Sequence, residues 1–171
     1  MHAMINDEDL KRLATQVGAD LLDAERRLVT AESCTGGWVA KLLTDISGSS
    51  AWYDGGVVAY SNTLKQALLG VRPSTLASHG AVSEATAREM AIGALETLGG
   101  HIALAVTGIA GPAGAQPGKP IGTVWFAWAW KEGHEIETRV ALETFTGDRE
   151  AIRRQSVARA LRELGQLQRQ E

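Results

Sequence analysis

One stretch constrains the fold of this chain more than any other. Arg27–Ala31 reads as a short apolar strand, Glu32-Ser33-Cys34-Thr35-Gly36-Gly37 follows as a turn, and Val39, Leu42, Leu43 and Ile46 then recur at helical spacing. A strand that breaks through a glycine turn into a helix is the first half of a strand–helix–strand unit. The next apolar strand, Gly55–Tyr60, completes it.

The remaining elements extend the pattern. Leu10, Leu13, Ala14, Val17 and Leu21 mark a first helix that Asn6 can cap. Ser61 can cap a helix carrying Leu64, Ala67 and Leu68, which Gly70 stops. Ser83 opens another, with Ala87, Met90, Ala91, Ala94, Leu95 and Leu98 on one side. His101–Val106 is a strand that runs into the turn-rich stretch Gly108–Gly118. Thr123–Trp130 and Glu135–Leu142 read as strands joined by a tight turn at 131–134. Asp148 can cap a last helix burying Ile152, Val157, Leu161 and Leu164. Alternating strands and helices followed by a hairpin predict an α/β protein with a mixed sheet covered by helices on both faces. No repeat or linker interrupts 171 residues, so one domain is expected over 1–171.

Composition narrows the function. A formal charge of −3 without a basic stripe argues against a nucleic-acid binder. The apolar runs are too short to span a bilayer, and residues 1–9 lack the basic and apolar regions of a signal peptide. A single cysteine, Cys34, excludes an internal disulfide and suits a reducing cytoplasm. His2, His79, His101 and His134 are scattered, so neither a metal nor another cofactor is expected.

Three segments can carry chemistry. At Ala31–Gly37 the free N–H groups of a helix N-terminus favour a phosphate or the oxyanion of an attacked carbonyl, and Gly36 and Gly37 allow a ligand to approach closely. Ser33 there is either a nucleophile or, like Thr35, a helix cap. Cys34 is a rival nucleophile, since a thiol at a helix N-terminus has a depressed pKa, although no histidine lies near it in sequence. The glycines of a nucleophile elbow are missing at Ala31 and Thr35, and no Ser-x-x-Lys or Walker A pattern occurs. In the second segment, Tyr60 ends a strand and Lys65 lies one turn into the next helix. Lys65 is either a solvated lysine or a base of lowered pKa. The third, Thr107-Gly108-Ile109-Ala110-Gly111-Pro112 continuing to Lys119, is a loop after a strand that either wraps a ligand or is plain surface. Val124, Phe126, Trp128 and Trp130 alternate on one strand face, as core or subunit packing would.

Together these segments resemble the C-terminal domain family of the competence-damage-inducible CinA proteins, and within it the stand-alone amidohydrolases. The matches are Ala31–Gly37, Gly48-Ser49-Ser50-Ala51-Trp52, Tyr60-Ser61-Asn62 with Lys65, and His79-Gly80-Ala81-Val82-Ser83. Gly108–Pro112, Lys119-Pro120 with Gly122, and Gly147-Asp148-Arg149 with Arg153 follow in the same order. The resemblance implies a three-layer α/β/α sandwich with a mixed, mostly parallel sheet, and a homo-oligomer, most simply a dimer. It implies hydrolysis of the carboxamide of nicotinamide mononucleotide by a serine nucleophile, with Ser33, Tyr60 and Lys65 catalytic and Tyr60, polarised by Lys65, taking the proton. Cys34, Thr35, Gly36, Gly37, Thr107, Gly108, Gly111, Lys119 and Arg149 would then bind substrate. The other reading is a non-catalytic nucleotide-binding or regulatory module using the same loops.

Overall fold

The computed structural model describes residues 4–170; Met1–Ala3, His2 among them, and Glu171 lie outside the described residues. Five strands form one sheet in the order β2-β1-β3-β4-β5: β1 Leu28–Glu32, β2 Tyr53–Val58, β3 Ile102–Gly108, β4 Thr123–Glu132 and β5 Glu135–Thr144. β2, β1 and β3 run parallel, β4 returns antiparallel to β3, and β5 returns against β4 across a two-residue turn between Glu132 and Glu135. Four of the five strands therefore share one direction, as the expected mixed and mostly parallel sheet requires.

Helices α1 (Asp7–Asp23), α2 (Trp38–Thr44) and α6 (Arg149–Arg169) cover one face; α3 (Asn62–Leu69), α4 (Pro73–His79) and α5 (Glu84–Leu98) belong to the other. The strands divide their side chains between the two cores. Leu28, Leu104, Val106, Phe126 and Trp128 meet α1, α2 and α6, while Val29, Ala31, Ala103, Ala105, Ala127 and Ala129 face α5. Small residues on that second face let α5 lie close to the sheet, and its own Ala87, Ala91 and Ala94 complete the contact. The aromatic face of β4 is core, with Phe126 and Trp128 stacked at 5.9 Å between centroids.

The caps are as the sequence indicates. Asn6, Ser61, Ser83 and Asp148 each accept from a backbone N–H in the first turn of α1, α3, α5 and α6. Two elements escape a reading by periodicity. The segment 73–79 starts α4 with proline at its first position but carries only one large apolar side chain, Leu76. Residues 49–51 form one short helical turn. A third difference matters more: α3 turns Lys65 and Leu69 inward and leaves Leu64 and Leu68 exposed. The helix packs against α5 so tightly that Gly93 lies against the Leu69 carbonyl, with no room for a Cβ.

Candidate active site

Ser33 leaves the C-terminal end of β1, between β2 and β3. Ladder bonds hold this end on both sides: Ser33 N–H donates to the Val106 carbonyl at 3.0 Å, and Ala59 N–H donates to the Glu32 carbonyl at 2.9 Å. Sites in open α/β sheets form at such strand ends. A cavity of about 240 Å³ opens here, bordered by Ser33, Cys34, Tyr60, Lys65, the loop Thr107–Gly111 and Arg149.

The turn after Ser33 is built by residues on both sides of it. Glu32, only 1% exposed, accepts from Thr35 Oγ1 at 2.6 Å, Val39 N–H at 2.9 Å and Ala40 N–H at 3.1 Å. Its carboxylate thus serves as the side-chain cap of α2, placed by tertiary contact rather than by the usual spacing. Neither Ser33 nor Thr35 caps the helix. Gly36 and Gly37 have φ of 60° and 98°, which explains two consecutive glycines by backbone conformation rather than by access for a ligand. The guanidinium of Arg153, from α6, donates to the Cys34 carbonyl at 3.1 Å and the Thr35 carbonyl at 3.0 Å.

Lys65 is the decisive side chain. It is 1% exposed, and its Nζ donates to Ser33 Oγ at 3.0 Å and to the Tyr60 carbonyl at 3.1 Å. Burial lowers its pKa from the ordinary 10.5, because the charged ammonium loses water. Lys65 therefore reaches the serine hydroxyl itself and meets Tyr60 through the main chain, not through the phenol. The phenol instead accepts from Arg149 Nη2 at 3.1 Å, and Arg149 Nη1 donates to the Gly111 carbonyl at 2.7 Å.

Cys34 departs from the depressed pKa expected at a helix N-terminus. Burial pushes the thiol up to about 12, with the nearby Glu32 charge adding to the effect against a backbone hydrogen bond that lowers it. A thiol of that kind is not a thiolate at neutral pH.

Of the residues implicated by the sequence, Ser33, Tyr60, Lys65, Cys34, Thr107, Gly108, Gly111 and Arg149 converge on the cavity. Thr35 is fully buried against Glu32, and Gly36 and Gly37 border a different space. Lys119 donates to the His79 carbonyl at 2.6 Å, bracing the turn before Ala81, and does not line the cavity. Asn62, Ala81 and Val82 border it as well; all three lie in segments that carry the family resemblance, but none was singled out as a site residue. Thr107 Oγ1 donates to the Ala81 carbonyl at 2.8 Å, which ties the loop before α5 to the end of β3. The larger space, about 790 Å³, lies against Gly36, Gly37, Trp38 and Arg153. It contains no serine or cysteine, and its Arg154 and Lys41 are spent on Asp7, Glu150 and Asp45. Among the described residues no three His, Cys, Asp or Glu side chains are grouped to hold a metal ion.

Fold and site together define an α/β/α protein with a buried serine–lysine pair at a strand end. The chain belongs to the CinA C-terminal domain family, whose model matches residues 10–168. It is similar to the nicotinamide-nucleotide amidohydrolase PncC of Escherichia coli K12, 52% identical over 95% of this chain and 96% of that one. The protein of that name from Pseudomonas putida is 44% identical over 94% of this chain and 98% of its own length. A CinA superfamily protein from Klebsiella pneumoniae 700603, known from its crystal structure, superposes with a TM-score of 0.88 at 44% identity, covering 95% of this chain and 99% of that one.

Proposed function

We propose that this chain hydrolyses the carboxamide of nicotinamide mononucleotide to nicotinic acid mononucleotide and ammonia. The observation that carries the reading is the 3.0 Å contact between buried Lys65 Nζ and Ser33 Oγ at the cavity floor. The relatives' names supply the substrate. A cavity of about 240 Å³ is smaller than the usual ~300–1,000 Å³ of ligand clefts. It suits the pyridine ring and its amide, with the ribose phosphate at the mouth beside Arg149.

In this mechanism a neutral Lys65 takes the Ser33 hydroxyl proton as Oγ attacks the amide carbon. The Lys65 ammonium then returns the proton to the amide nitrogen, ammonia leaves, and the nicotinoyl group remains as an ester on Ser33. Water, deprotonated by Lys65, releases the acid. Tyr60 and Arg149 form a polar wall that orients the substrate, and Thr107, Gly108, Gly111 and Cys34 line the remainder. Purified protein incubated with nicotinamide mononucleotide should release ammonia and nicotinic acid mononucleotide in equal amounts. No product at micromolar enzyme would favour a nucleotide-binding module instead.

The same reading includes a homodimer and a cytoplasmic location. Among residues 55–71 the sole charged side chain is Lys65, which is buried. Val58, Tyr60, Leu64 and Leu68 of this segment are exposed, and charge depletion is the compositional mark of an interface core. A second copy of the chain is the proposed occupant. Light scattering should give twice the mass of 18.2 kDa, and Leu64→Glu with Leu68→Glu should give the monomer. An unchanged dimer in that variant would place the interface elsewhere. The lone buried cysteine suits a reducing compartment, and among the described residues no helix is long and apolar enough to cross a membrane.

A further inference from the structure

We infer that Arg153 is a positioning residue, holding the turn that presents the Ser33 nucleophile, and this rests on the hydrolytic reading above. In a trans peptide the carbonyl and the following N–H point in opposite directions. Arg153 draws the Cys34 and Thr35 carbonyls toward itself, so the N–H groups of Thr35 and Gly36 face away from it. Gly36 N–H is spent on the Ser33 carbonyl at 3.0 Å, which closes the turn. Thr35 N–H lies on the peptide whose Cys34 carbonyl Arg153 grips, and Cys34 N–H lies on the peptide whose Ser33 carbonyl Gly36 N–H holds, so clamp and turn together fix the backbone that immediately follows the nucleophile. A nucleophile at the head of a turn is only as well placed as the turn is held, and that placement counts when it is fixed before the tetrahedral intermediate forms.

The clamp comes from across the fold. Arg153 lies on α6 and borders the space behind the turn, not the catalytic cavity, so it does not contact substrate. Its planar fork spans two successive carbonyls, a geometry that a lysine ammonium cannot reproduce. Arg154 also stacks on Trp38, at 5.0 Å, so the indole remains covered when Arg153 is replaced.

The test is kinetic. Arg153→Met should lower kcat by about 10²-fold, the scale of a reacting group displaced by about 1 Å, while KM stays within about threefold. Arg153→Lys should recover little of it. Arg153→Ala should regain activity when guanidinium ion is added at millimolar concentration, and methylammonium should not restore it. Phosphonylation of Ser33 by a fluorophosphonate, followed by intact mass, should slow in parallel; it reads the placement of the Ser33 hydroxyl without any nucleotide. If the wild type reacts with the fluorophosphonate in an Arg153-dependent way yet ignores nicotinamide mononucleotide, the substrate assignment fails and the role of Arg153 stands. A folded Arg153→Met with unchanged kcat and phosphonylation rate would overturn the role, as would a KM effect alone. Loss of activity in Arg153→Ala with no guanidinium response would do the same.

Discussion

Ser33→Ala is expected to remove amide hydrolysis, lowering kcat by on the order of 10⁴–10⁶-fold, the range seen when a serine nucleophile is deleted. The fold should be unaffected. Ser33 holds its place through its backbone N–H to Val106, and its hydroxyl caps no helix because Glu32 does that. Cys34→Ala is expected to keep kcat within about tenfold and to cost stability on the order of 1 kcal/mol, the price of a small cavity in a core. The contrast follows from environment. One residue has a lysine amine on its oxygen, and the next has its thiol pushed up to about 12 by burial. Iodoacetamide at neutral pH should accordingly fail to alkylate Cys34 in the native protein. An inactive Cys34→Ala beside an active Ser33→Ala would reverse the assignment of the nucleophile.

Lys65→Met should show the second largest effect, a loss in kcat of about 10²–10⁴-fold with KM little changed, as removal of a general base does. Its stability should move the other way. Lys65 binds its proton less tightly in the fold than in the unfolded chain, so between the lowered value and the ordinary 10.5 the unfolded chain carries more protons. Stability from this group is therefore lowest below that window and rises with pH through it. At neutral pH the methionine variant escapes the cost of burying an amine that the unfolded chain carries protonated, and its Tm should equal or exceed that of the wild type. It should also lack the alkaline rise. The wild-type kcat should climb with pH as Lys65 loses its proton, and Lys65→Arg, which cannot lose one, should be inactive across the range. A methionine variant that kept kcat but raised KM would make Lys65 a substrate anchor.

Legibility of this chain depended on how far each partner lay in sequence. The strand, turn and helix around Ser33 were readable because their signals are local: an apolar run, two glycines, then helical spacing. The N-terminal caps at Asn6, Ser61, Ser83 and Asp148 were readable for the same reason. Glu32 gave no such signal, since its carboxylate caps a helix seven and eight residues downstream through a turn whose path no spacing rule encodes. Arg153 was visible only as part of the family match with Gly147-Asp148-Arg149, with no role attached to it, and it reaches Cys34 across 119 positions.

What the sequence determined by itself was the order of the elements other than α4 and the short turn at 49–51, the mixed sheet under two layers of helices, and the strand-to-helix turn that carries Ser33. Those follow from periodicity, caps and turn residues, which act over a few positions. The tertiary structure alone decided which side chains meet: Lys65 Nζ on the Ser33 hydroxyl, with the Cys34 thiol buried beside them. By local pattern α3 carries an apolar pair at Leu64 and Leu68 and a lysine that most helices would leave in water. Packing against α5 inverts this, turning Lys65 into the protein and the leucines outward. Charge state then follows from burial: the same desolvation lowers the Lys65 pKa and raises that of Cys34, because in each case the charged form is the one that loses water.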